Sequence, residues 1–302
     1  MSTTEPTLTS CKLNPRGSGC QTTDFSVRIP LFNPEWRKKA ARLIVGATLT
    51  AAEIVWKGKF AHAVGVGGGL HHAKRSYGAG FCVYNDVAVS IRSLIENHGL
   101  KRILVIDTDA HAGDGTCQIF YQDPRVLFID IHQDPRTLYP GFGFVHEIGK
   151  DKGTGFTVNV PLPPGASDGA YEYVPDEIFA PLAEEFAPQI MIRNGGSDPH
   201  FADELTDLGL TLKGLEMVGG RVGEVAERVC NGKVVDLIGS GYNQAVLPYG
   251  WLASVSGLAK LDLEFAEPFF FSLKTDCQLE ETREVAKAVT DNLKPYWRCF
   301  AK

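Results

Sequence analysis

No stretch of this 302-residue sequence approaches the ~20 consecutive apolar residues that a membrane span requires, so a membrane protein is not expected. No CxxC pair occurs among the seven cysteines and the count is odd, which points to free thiols in a reducing compartment. Positive charge is in short supply. A formal net charge of -6 argues against a nucleic-acid footprint, while leaving a cationic substrate compatible. The first residues, Met1 to Asp24, are rich in Ser, Thr, Pro and Gly and lack the apolar core of a signal peptide. Together these absences lead to the expectation of a cytoplasmic protein without membrane or nucleic-acid partners. No internal repeat and no linker divides the chain. Residues 1–30 read as a flexible arm and residues 31–302 as one domain, with 44% hydrophobic residues to build its core.

What is present is a series of apolar strands that end in polar chemistry. Ile103-Leu104-Val105-Ile106 runs into Asp107-Thr108-Asp109-Ala110-His111-Ala112-Gly113-Asp114. This is the pattern of a buried parallel strand opening into a functional loop. Similar strands are expected at Phe60–Val66, Val126–Ile131, Phe156–Leu162, Pro188–Arg193 and Val234–Ile238. Between and around them, helices are predicted at Pro34–Trp56, Asp86–His98, Gly115–Gln122, Ala170–Phe186, Thr211–Cys230, Tyr249–Lys260 and Leu279–Lys294. Leu43, Ala47, Ala51 and Ile54 space as the buried stripe of the first helix. The stretch Asp262–Asp276, with Phe269-Phe270-Phe271, is expected to pack on the body. The fold class is α/β: a single doubly wound domain, its central sheet mostly parallel, with helices on both faces.

In a parallel sheet the carboxyl ends of the strands share one rim, where ligands bind. Four of those ends carry His71 and His72; Asp107, Asp109, His111 and Asp114; Asp198; and Tyr242. Asp109 and His111, at i and i+2, leave one side of an extended segment. With Asp198 they offer three ligands and leave open positions, as a catalytic zinc site does. Asp107 and Asp114 are placed to orient His71 and His72 by accepting ring N–H bonds. Tyr242, on a glycine-rich loop, can donate its hydroxyl to a developing oxyanion. The Gly- and aromatic-rich Ser76–Asn85 reads as a loop lining a pocket. Taken singly, each feature has a plainer explanation, such as a helix cap, a turn or a packed ring; their joint occurrence carries the weight.

These motifs resemble the histone deacetylase superfamily, which includes bacterial and archaeal deacetylases, acetoin-utilisation proteins and acetylpolyamine amidohydrolases. The resemblance rests on Gly68-Gly69-Leu70-His71-His72, Gly80-Phe81-Cys82-Val83-Tyr84-Asn85-Asp86, the Asp107–Asp114 segment, Leu138-Tyr139-Pro140-Gly141, Val158-Asn159-Val160-Pro161, Gly195-Gly196-Ser197-Asp198 and Gly241-Tyr242-Asn243. It implies an arginase/deacetylase-like fold over residues 31–302. It also implies zinc-dependent hydrolysis of an N-acyl amide, such as acetyl-lysine in protein or an acetylpolyamine. One Zn2+ per chain would be held by Asp109, His111 and Asp198. His71 with Asp107 and His72 with Asp114 would form the acid/base pairs, and Tyr242 would polarise the carbonyl. Phe81 and Tyr139 would flank the acyl-lysine channel, and Gly80, Leu205 and Tyr242 would shape its foot. A structural K+ or Na+ would sit at Asp107 and the backbone around Asp109 and His111, and a second at the backbone around Phe120, Asp123 and Val126.

The sequence departs from the family pattern in places. The residue after the metal-binding His111 is Ala112, where the family has a second histidine. Asp130 replaces a serine at the monovalent cation site, adding a negative charge that favours the cation. Asp203-Glu204 replaces an Asp-Pro on the pocket rim. Family members carry more chain ahead of the two histidines, so the strand Phe60–Val66 is expected at a sheet edge. The arm Met1–Phe32 or a second subunit, giving a homo-oligomer, is expected to cover that edge. Two other functions fit the fold. An arginase-type binuclear ureohydrolase shares the Asp109-Ala110-His111 motif, but the spacing to Asp114 is one residue too long and no second aspartate pair surrounds Asp198. A non-catalytic binding protein would predict loss of a ligand or of the tyrosine, and none is lost.

Overall fold

A computed structural model describes residues 34–269 and 278–301. The arm, its covering of the strand edge, and Phe270 and Phe271 lie outside the described residues. Six strands form one sheet in the order β1 (His62–Val66), β6 (Val234–Ser240), β5 (Ile190–Gly196), β2 (Ile103–Asp107), β3 (Val126–Gln133) and β4 (Thr157–Leu162). Every pairing is parallel. The chain winds outward from β2 through β3 to β4, then crosses to β5 on the other side of β2. The strand order therefore reverses between β2 and β5, and ligands of α/β sheets gather at such a point.

Alternation along the strands feeds two cores. Ile103, Val105, Phe128, Ile192 and Val235 pack under α1 (Pro34–Trp56), α2 (Asp86–His98) and α3 (Asp114–Phe120). Leu104, Ile106, Leu127, Ile129 and Met191 pack on the other face. There they meet α4 (Asp168–Val174), α5 (Ala180–Phe186), α6 (Leu212–Cys230), α7 (Leu247–Ala259) and α8 (Leu279–Leu293). Both faces are covered, which is why the strands read as continuous apolar runs.

Some expectations are corrected. The buried face of α1 is Ala41, Thr48, Ala51, Ala52 and Val55, while Leu43 is 65% exposed. The face is rotated because Thr48 Oγ1 donates to Asp86 Oδ2 at 2.6 Å and because alanines let α1 approach the body closely. The single helix expected over Ala170–Phe186 starts at Asp168 and contains a π turn, Pro175–Phe179. Pro175 has no N–H for the i→i−4 bond, and the helix widens there. The helix expected from Tyr249 begins at Leu247 and runs through Gly257, where a Cβ would lie 1.8 Å from Glu216 O. Phe269 is 40% exposed, whereas Phe265 of the same stretch packs against the core. Among the described residues β1 is, as expected, an edge strand, with Val66 63% exposed.

Candidate active site

The carboxyl ends of β2 and β5 bring the sequence-predicted metal ligands together. Potential ligand atoms of Asp109, His111 and Asp198 lie within 4.8 Å of one another, and all three residues are buried. His111 Nδ1 is 3.1 Å from Asp109 Oδ1 and 3.0 Å from Asp198 Oδ2. Ser240 Oγ donates to Asp198 Oδ1 at 2.7 Å, and Thr206 Oγ1 donates to Asp198 O at 2.5 Å. Burial and the neighbouring Asp109 charge push the Asp198 carboxyl up to about 7. Two buried carboxylates facing one imidazole repel each other, and a dication between them would relieve that repulsion. The donor set therefore fits a divalent metal of the zinc type.

Beside this cluster stand the two histidines. His71 Nδ1 lies 2.8 Å from Asp107 Oδ2, and His72 Nδ1 lies 2.8 Å from Asp114 Oδ1. Their Nε2 atoms are 3.2 Å apart. The environments separate them electrostatically. Burial pulls the His71 imidazole down, but the Asp107 and Asp109 charges outweigh it and raise it to about 10. For His72, burial and the charge on His71 win over Asp114 and lower it to about 4. The packing around the two rings thus drives His71 towards the protonated form and its neighbour towards the neutral one.

Several residues hold this arrangement in roles that the sequence did not reveal. Asn85 Nδ2 donates to the carbonyls of His71 and Ala73, both at 3.1 Å, while its Oδ1 caps α2 through the Ala88 amide. Asp86 accepts from the Gly69 and Leu70 amides. Asn194, the last polar residue before the β5 glycines, donates to Asp107 at 3.0 Å. Lys74 Nζ forms an ion pair with Asp114 Oδ2. An Asn or Lys two or three residues from a motif has no periodicity to reveal it. The only signal in the sequence was position: Asn194 directly follows an apolar strand.

The two aromatics expected to flank a channel each meet a different ring of the site. The Tyr139 ring meets His72 edge-on at 5.0 Å, and the Phe81 ring lies 6.2 Å from Tyr242. Phe81 has φ 65°, a strained value for a bulky residue, and is 71% exposed. Gly80 leaves room for His72: a Cβ there would sit 2.3 Å from its Cδ2. The Tyr242 ring faces His111 at 6.2 Å, and burial raises its phenol, which therefore stays protonated. Leu205 is half-exposed and is tied to the tyrosine loop through Asp203. Ala112 is buried beneath Gly143, where a Cβ would come within 3.0 Å of it, so the Tyr139 loop closes over the small side chain.

A family model for the histone deacetylase domain matches residues 12–258. The chain belongs to the histone deacetylase family. Over 237 residues this deacetylase-family chain is 41% identical to the "Probable deacetylase" of Archaeoglobus fulgidus, covering 76% of this chain and 65% of that one. It is 39% identical over 214 residues to the "Acetoin utilization protein AcuC" of Bacillus subtilis, covering 70% of this chain and 55% of that one. Among solved structures, the HDA15 HD domain aligns with a TM-score of 0.76 at 26% identity, covering 88% of this chain and 72% of that one. The histone deacetylase Clr3 aligns with a TM-score of 0.69 at 26% identity, covering 86% and 41% respectively. The chain thus spans 65% and 55% of the length of the two curated relatives. No helix among the described residues is long and apolar enough to cross a membrane.

Proposed function

We propose that this deacetylase-family chain hydrolyses an N-acyl amide, with acetyl-lysine in protein or an acetylpolyamine as the substrate class. The observation that carries this reading is the pair of histidine–aspartate contacts converging beside Asp109, His111 and Asp198. Those three residues would hold one zinc ion, which when bound polarises the acyl carbonyl and acidifies a water. His72, neutral, accepts the proton of the attacking water at Nε2 and later returns it to the leaving amine. His71, held protonated by Asp107, presents a fixed positive charge to the reacting centre. Tyr242 donates its hydroxyl to the developing oxyanion. Phe81 and Tyr139 wall a slot suited to a slender alkyl stem, with Gly80 and Leu205 at its foot and rim.

Asp107 and Asp130 are paired across β2 and β3 in register, which places two buried carboxylates side by side. They would hold a K+ or Na+ with nearby backbone carbonyls. Asp130 already accepts from the Gly113 amide at 2.8 Å and lies 2.9 Å from His132 Nδ1, so it would contribute remaining lone pairs. A second monovalent ion would use carbonyls of Phe120, Asp123 and Val126; those of Phe120 and Asp123 each already accept one backbone amide. We further propose action in the cytoplasm, and a second copy of the chain against the β1 edge.

The test compares a fluorogenic acetyl-lysine peptide with acetylated polyamines, using zinc-loaded protein. Turnover that falls steeply in Tyr242→Phe supports the reading. No turnover of any acyl amide by the loaded protein defeats it. A binuclear ureohydrolase would bind two metal equivalents. Among the described residues one cluster of three ligands is within range, and Asp114 is engaged by His72 and Lys74 rather than bridging. One equivalent per chain in a metal titration is therefore expected.

A further inference from the structure

The two histidine–aspartate pairs share the same first bond and differ in the second. Asp107 meets His71 and otherwise faces neutral donors, the Asn194 amide at 3.0 Å and the Asp109 backbone amide at 3.2 Å. Asp114 meets His72 through Oδ1, and its Oδ2 takes an ion pair from Lys74. The Lys74 and Asp114 side chains are each only 9% exposed. Burying an ammonium is costly, and a buried ion pair roughly breaks even against apolar packing, so stability alone does not account for a lysine here.

Its placement does. Lys74 follows His72 by two residues. Its amide donates to Tyr77 O at 2.9 Å, and the preceding Ala73 carbonyl is held by Asn85, so the backbone that carries the lysine is anchored. Asp114 is the first residue of α3, whose N-cap, Gly113, supplies no side-chain cap. The first-turn amides of Asp114, Thr116 and Cys117 are already taken by the carbonyls of Ala112, His71 and Gly113, so they offer the carboxylate no second anchor. The ion pair from Lys74 supplies one on Oδ2.

We propose that Lys74 is a positioning residue for His72: by clamping Oδ2 of Asp114 it fixes the carboxylate plane, which keeps Oδ1 on His72 Nδ1 and the Nε2 edge of the ring aimed at the reacting amide. The inference rests on the amidohydrolase reading above and deepens it. Hydrogen bonds from His72 and Lys74 also overcome burial and keep the Asp114 carboxyl below its usual range, so the acceptor remains ionised.

The experiment uses the full chain with Lys74→Met and Lys74→Arg. Kinetics on the acetyl-lysine peptide are read beside the downfield Nδ1 proton of His72, assigned by its loss in His72→Asn. Lys74→Met is expected to lower kcat about tenfold, the low end for losing an orienting partner. KM should stay within about twofold, since ground-state binding is untouched. The His72 ring proton should move or broaden. Lys74→Arg should restore most of both. Wild-type kcat in Lys74→Met, an unmoved ring proton, or an arginine variant that is folded yet no better than methionine overturns the proposal. If the wild-type protein turns over no acyl amide, the hydrolase reading fails, and the ring proton still decides the clamp.

Discussion

The backbone amide of Tyr242 donates to Asp203 Oδ2 at 2.8 Å, and Oδ1 of the same carboxylate accepts from the Leu205 amide at 2.9 Å. One side chain thus ties the tyrosine loop after β6 to the loop that follows Asp198. Asn243 strengthens the tie through the Ala202 carbonyl at 2.7 Å. Asp203→Ala should therefore lower kcat by about tenfold with little change in KM, because the phenol loses its fixed aim. In a Tyr242→Phe background the same substitution should have almost no further effect. Additive losses in the double variant would show that Asp203 acts elsewhere.

Gly80→Ala tests the space left for His72. Gly80 has φ 51°, and a Cβ there would come within 2.3 Å of the ring. Displacement of His72 should cost about 100-fold in kcat, and the overpacking about 1–3 kcal/mol of stability. Metal affinity should hold, since Asp109, His111 and Asp198 are not touched. Thermal melts and a metal titration on the same variant separate the effects.

Ser240→Ala removes the hydroxyl that donates to Asp198 Oδ1. The expected result is a metal affinity lower by about tenfold, measured by competition with a chromogenic chelator, with the stoichiometry still at one. Unchanged affinity would mean that backbone packing alone orients Asp198.

Two histidines give opposite pH signatures in chelator-treated protein. His72 is lowered to about 4 from an ordinary 6.5 by burial and the His71 charge. As pH falls from 6.5 towards 4 the unfolded chain takes up a proton that the folded chain refuses, so stability declines in that window. His71 is raised to about 10, its aspartate neighbours outweighing burial. Its contribution is complete below 6.5 and is lost as pH rises through 10. Urea midpoints should flatten on the acid side in His72→Asn and on the alkaline side in His71→Asn. An unaltered slope in either variant contradicts the assignment.

Behind the site, Arg193 Nη1 reaches Asp236 at 3.2 Å and Ser254 Oγ at 2.5 Å, with both members of the ion pair fully buried. Arg193→Met strands the carboxylate and should cost about 3–5 kcal/mol. Arg193→Met combined with Asp236→Leu should recover most of that loss. Denaturant melts of the three variants provide the measurement.

Much of the fold was legible in sequence because its signals are local. Asp86–His98 shows a 3.6 period and ends at Gly99, and the helix has those bounds. Ile103–Ile106 is apolar on both faces because helices cover both faces. The first helix was misjudged in its buried face because Thr48 and Ala52 are chosen by what they pack against, not by their hydrophobicity. The cluster of Asp109, His111 and Asp198 was legible because two of its members follow one strand end and the third follows another. Lys74, Asn194 and Ser240 were not, since each acts on a residue distant in the chain and bears no motif of its own.

By itself, the sequence determined that Asp109 and His111 follow the end of one apolar strand, while the turn that sets them, with the His111 amide on Asp109 Oδ1 at 2.8 Å, belongs to the folded loop. It determined likewise that His71 and His72 follow three glycines, where backbone can approach closely. Only the tertiary structure decided that β5 crosses to the far side of β2. That reversal of strand order opens the crevice in which Asp198 reaches His111 and each histidine finds its own aspartate. Which ring keeps its proton was decided there too, because burial and neighbouring charge are properties of the packed site and not of the residues that build it.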